Sequence, residues 1–112
     1  MKGLKGDFMT MNEIRESYKR FIQYELDNIK WYEKEIKYIS EQIKESKASD
    51  KELVEYVWSK GPLTKWDMDH YNEKYVSFTT KKLLSDRSKC YYRIKRAKQS
   101  IARDEKLVEK YS

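Results

Sequence analysis

Between Arg87 and Arg103 the chain reads RSKCYYRIKRAKQSIAR, and the chemistry on offer is cationic. Lys82, Lys89, Arg93, Arg96 and Arg103 fall on three- and four-residue steps once Asp86 and Ser100 fill the gaps, so a helix carries them as one stripe. Tyr91 and Tyr92 are interleaved, and Lys95 and Lys98 widen the patch. Over residues 81–103 there are nine basic residues and one acid, Asp86. Such a stripe suits a phosphate backbone or an acidic protein surface. The competing reading is a solvated face of a lysine-rich helix.

Sequence-specific DNA reading has little support. The stretch lacks the Asn-x-x-Ala-Ala signature of basic-leucine-zipper regions, and no leucine zipper follows it. Neither a short helix-turn-helix pair nor a zinc-finger Cys/His spacing is present. A nucleic acid bound here is expected to be held mainly by its backbone, with affinity that weakens as salt rises.

The segment DMDH (67–70) is the other place where chemistry could start. Asp67 and His70, or His70 and Glu73, are three apart and share a helix face, as a metal pair or an acid–base pair requires. Asp67 has a simpler use as a helix cap, and a single His among carboxylates on a charged helix is ordinarily solvated. Cys90 falls on an apolar seam position and reads as a small buried group. With one His, one Cys and three Gly, none in a phosphate-binding loop, a hydrolase, kinase or nucleotide-binding enzyme is not expected. No catalytic, metal or cofactor-binding residue is assigned.

A third pattern concerns contact rather than chemistry. Ile22, Ile29, Ile36 and Ile43 recur every seven residues, and Tyr24, Trp31 and Tyr38 each stand two residues after an isoleucine. Two residues turn a helix through about 200°, so the aromatics face away from the isoleucines. The isoleucine stripe reads as the internal seam, with Tyr18, Tyr32 and Ile39 beside it. The aromatic stripe then needs its own cover: a second copy, a fold-back of residues 50–60 through Leu53, Val57 and Trp58, or a foreign partner.

The elements that position these residues are punctuated clearly. Thr10 with Glu13, Ser49 with Glu52 and Thr64 with Asp67 read as capping boxes, with Met9 and Ile14 as a hydrophobic staple at the first. Gly61-Pro62 is a hard stop. The spacing predicts a first helix over about 11–46, a short one over about 50–60 and a third over about 65–110. The β-branched VSFTT (76–80) marks a bend in the third. In that helix Ile94, Ile101 and Val108 alternate with Leu83, Cys90 and Ala97 in an a/d pattern, which Arg87 and Asp104 interrupt.

Composition sets the limits. The chain of 112 residues is 38% apolar and 39% charged, so a single domain with a thin helical core is expected, with residues 1–9 as a flexible lead-in. Residues 1–60 hold 12 basic and 12 acidic residues, while 61–112 hold 13 and 7 and so carry the whole net charge of +6. One Cys and no apolar run near the roughly 20 residues of a membrane span point to a cytoplasmic protein.

The fold expected is all-α: an elongated, coiled-coil-like antiparallel hairpin of two long helices joined by a short one, forming a four-helix bundle as a homodimer. The function expected is that of a small non-catalytic interaction protein. Its Lys-, Tyr- and Ile-rich usage suits a phage- or mobile-element-type regulator or inhibitor that binds a host macromolecule, such as a nucleic-acid-handling protein. The alternative is direct, largely sequence-independent nucleic-acid binding through the basic stripe of the third helix.

Overall fold

The computed structural model describes residues 10–112. They form three helices: α1 (Met11–Ser59), α2 (Lys65–His70) and α3 (Phe78–Lys110), with no strand among the described residues. In the same residues no helix is long and apolar enough to cross a membrane. The expected staple through Met9, like the lead-in at 1–9, lies outside the described residues.

The expected first and second helices are one. α1 continues through 47–50, where the Ser49 box predicts a new start. No Gly or Pro occurs between 11 and 59, and extending a helix is far easier than nucleating another. Residues 50–60 therefore prolong α1 and do not fold back over its aromatic stripe. At its start, the Glu13 N–H donates to Thr10 Oγ1 at 3.1 Å, as the capping reading requires.

The stop at Gly61-Pro62 stands, for half the expected reason. Pro62 cannot continue a helix, but Gly61 is not left-handed, and a Cβ added to it would meet nothing within 4 Å. Thr64 and Asp67 then close a reciprocal capping box: Asp67 N–H donates to Thr64 Oγ1 at 3.1 Å, and Thr64 N–H to Asp67 Oδ2 at 3.2 Å.

The expected third helix is interrupted at 71–77 rather than bent at 76–80. Asn72 is one cause. Its amide donates to the Asp69 carbonyl at 2.7 Å and its Oδ1 accepts from Lys74 N–H at 2.8 Å, diverting the backbone into a turn. Ser77 is the other: its Oγ accepts from Thr80 N–H at 3.2 Å and so caps α3. VSFTT is thus the entry of a helix.

The two long helices pack against each other as an antiparallel hairpin, and their contacts fall into two compact units. One holds α1 as far as Lys34 with the chain from Tyr91 to Ser112; the other is Glu35–Cys90. In the first unit Ile29, Ala97 and Ile101 are buried together, with Ile22 and Ile94 against them, and the Tyr18 and Tyr111 rings stack at 6.4 Å. The a/d seam read from the sequence is therefore the core. Within the second unit Ile39 and Ile43 are buried, and Ile36 and Cys90 are half-buried. Arg87, which breaks the apolar pattern, donates to Ser40 Oγ at 3.2 Å.

The second unit also holds a polar clasp. Asp50 on α1 and Thr80 on α3 are buried, Thr80 completely. Asp50 Oδ2 accepts from Thr80 Oγ1 at 2.7 Å and from Ser77 N–H at 3.1 Å, and Ser46 reaches the same Thr80 hydroxyl. A carboxylate from one helix thereby caps the other, which fixes their register.

Candidate functional site

α3 presents the predicted cations on more than one face. In the first unit Arg93, Arg96 and Arg103, with Gln99 and Ser100 between them, form one wall of a groove of about 570 Å³. The opposite wall comes from α1, through Tyr24, Glu25, Asn28 and Tyr32. These residues recur at helical spacing on both sides, so each wall is one helix face. Lys95 and Lys98 are not in this groove. They border a second hollow on α3 with Tyr91, Ile94 and Ala102, which shares Gln99 with the groove. Lys82 and Lys89 are exposed and belong to the second unit. The structure thus selects three arginines from the seven predicted cations and joins them to aromatic and amide groups of α1.

Those arginines have no carboxylate partner among the described residues. The one ion pair among the described residues is Lys19 with Glu16, at 3.4 Å. Like charges three or four apart on a helix are destabilising by about 0.2–0.5 kcal/mol, so Arg93 and Arg96 carry a small standing repulsion that a bound anion would relieve. Arg93 is oriented by an aromatic face, its guanidinium carbon lying 5.7 Å from the centre of the Tyr32 ring.

Tyr32 also reaches the aromatic stripe. Trp31 meets it edge to face, with ring centres 5.1 Å apart at 81°. Tyr24 belongs to both features, since it stands in the stripe and lines the groove. On α1 the stripe residues Tyr24, Trp31 and Tyr38 are 63%, 57% and 58% exposed, so no part of the described chain covers them. Sequence reasoning places Tyr32 beside the core and passes over Glu25, Asn28 and Gln99. The signal available was helical spacing, with Asn28 four residues from Tyr24 and Tyr32, Glu25 three from Asn28 and Gln99 three from Arg96, which has meaning only once the two helices are in register.

No known protein family, curated protein or solved structure matches this chain. The site is accordingly read from its own chemistry.

The DMDH segment has a different setting. Asp67 is occupied in the capping box, and His70 stacks on Trp66 with ring centres 4.6 Å apart and 13° between planes. Tyr71 and Tyr75 complete that aromatic cluster, at 4.6 and 5.5 Å from the His70 ring. Among the described residues no group of three or more His, Cys, Asp or Glu side chains is placed to hold a metal ion. His70 and Asp67 serve local structure in this arrangement: one packs and the other caps.

Proposed function

We propose that this chain is a small, non-catalytic interaction protein that binds a protein partner in the cytoplasm. It would act as a regulator or inhibitor of the kind phages and mobile elements direct at host machinery, with a nucleic-acid-handling protein as target. The observation that carries the reading is the junction of arginines lacking a carboxylate partner among the described residues with exposed aromatics on one surface of the first unit. Arg, Tyr and Trp are the residues most enriched at interface hot spots, where buried rings hold a complex and charges steer and orient it. The remaining length of the aromatic stripe on α1 is the surface we assign to a second copy, in a four-helix dimer. Light scattering over a concentration series tests that assignment, and a mass that stays at one chain would remove it.

Direct nucleic-acid binding is the competing reading, and the same arginines favour it. Ligand class and salt separate the two. A nucleic-acid binder would take generic duplex directly, with log affinity falling against log salt at about −0.9 per phosphate contact. The proposed regulator should bind such duplex no tighter than roughly 10⁻⁶ M at physiological salt, and be recovered with one protein from bacterial lysate even after nuclease treatment. Sub-micromolar, salt-sensitive binding to arbitrary DNA or RNA would overturn the proposal.

Trp31 gives a second check. It is largely exposed, so Trp31→Ala should shift stability by only about 0.5 kcal/mol, the usual range for surface changes. Its effect on partner binding should be about thirtyfold or more, about 2 kcal/mol or more for a central aromatic anchor. A large fall in melting temperature with unchanged affinity would make Trp31 a packing residue instead.

A further inference from the structure

We propose that the groove of the first unit seats an acidic segment of the partner protein, held by Arg93, Arg96 and Arg103; this rests on the interaction reading above. Charge decides the occupant's sign, because three guanidinium groups face the groove and none has a carboxylate within ion-pair distance among the described residues. Length decides its size. Arg93 and Arg103 are ten residues apart on α3, about 15 Å at 1.5 Å per residue. That span matches four or five residues of extended chain at about 3.3 Å each, or nearly three helical turns.

Two features favour a peptide over a nucleic-acid backbone. Only three of the seven cations line the groove, and Lys95 and Lys98 border a second hollow that meets it at Gln99. In addition, the groove contains a carboxylate, Glu25. A polyphosphate offers only negative charge at that point, whereas a peptide can place a backbone N–H, a Lys or an Arg there while its own acids meet the arginines. Asn28, Gln99 and Ser100 supply further donors and acceptors suited to peptide amides.

The test is fluorescence anisotropy with the full chain and a labelled Glu/Asp-rich peptide carrying one central Lys. Labelled single-stranded and duplex DNA are run beside it. The double variant Arg93→Gln/Arg96→Gln should bind the peptide about a hundredfold more weakly, at roughly tenfold for each charge-assisted hydrogen bond removed. The double variant Lys82→Gln/Lys89→Gln, with the same change in net charge, should lose less than about threefold, as exposed and screened charges do. All four positions are exposed, and circular dichroism should show both variants folded. Equal losses in the two variants would overturn the groove and leave a diffuse basic surface, with the interaction reading intact. DNA binding that needs Arg93 and Arg96, without peptide binding, would overturn the proposal and the interaction reading together. Dimerisation abolished by Arg93→Gln/Arg96→Gln would overturn it in favour of a second copy in the groove.

Discussion

Ile29→Ala should lower the unfolding free energy by about 2–5 kcal/mol, the cost of deleting a fully buried isoleucine and leaving a cavity behind. Ile29 is 8% exposed and packs with Ala97 and Ile101 in the core of the first unit, so the buried side chains left facing that cavity lie on the opposite helix, with Ile22 against the cluster from α1. Ile101→Ala should cost a similar amount. The pair should fall short of the sum, because the two side chains share one cavity. Ile36, half-buried, is the internal control and should cost less when truncated. Urea unfolding followed by circular dichroism measures all four proteins. A typical domain has only about 5–15 kcal/mol to lose, so the double variant should be largely unfolded near physiological temperature. An unchanged midpoint in Ile29→Ala would mean that this cluster does not hold α1 against α3.

Asp50→Ala should also be damaging, through a different mechanism. It leaves the buried Thr80 hydroxyl and the Ser77 N–H without their shared acceptor. The Ser77 N–H is orphaned, while the Thr80 hydroxyl keeps the Ser46 and Ser77 hydroxyls as partners, so a loss of about 1–3 kcal/mol is expected. Asp50→Asn keeps one acceptor oxygen and should lose less. The clasp also predicts a pH dependence. Burial works to raise the Asp50 pKa, but the hydrogen bonds from Thr80 and from the side chain and backbone of Ser77 outweigh it, so the carboxyl titrates below its ordinary value. A carboxylate whose pKa is lowered on folding stabilises the fold above its unfolded pKa, about 3.9 for Asp, and the contribution drains away as pH falls through the lower folded value. The wild-type protein should therefore lose stability below about pH 4 more steeply than Asp50→Asn. Parallel acid profiles in the two proteins would show that the ionised carboxylate contributes nothing.

The all-α hairpin was legible in the sequence because its causes are local. The seven-residue recurrence of Ile22, Ile29, Ile36 and Ile43 requires a helix with one apolar edge, and Ile94, Ala97 and Ile101 require a second to meet it. Thr10 and Thr64 cap helices through side chains three residues from the groups they satisfy, so both starts could be read directly. Pro62 ends a helix whatever surrounds it. The aromatic stripe was equally open to reading: Tyr24, Trp31 and Tyr38 stand opposite the core by periodicity alone, and they are exposed.

What the sequence left undetermined depended on pairings between residues far apart in the chain. Ser49 and Glu52 have the letters of a helix start, yet α1 runs through them, and the residue between them that matters, Asp50, takes its partners from Thr80 and Ser77 some thirty positions away. The interruption at 71–77 has the same origin in part, since Ser77 starts α3 where it can meet that carboxylate. The groove is the clearest case. A stripe of basic residues says only that one helix face is cationic; which cations share a site depends on the antiparallel register of α1 and α3. Register brings Tyr32 under Arg93 and sets Glu25 across from the arginines, while Lys95 and Lys98 border another hollow. Helix periodicity is a property of a few consecutive residues and survives in the sequence. The pairing of one face with another is settled only when side chains from both helices pack, and that was decided by the tertiary structure alone.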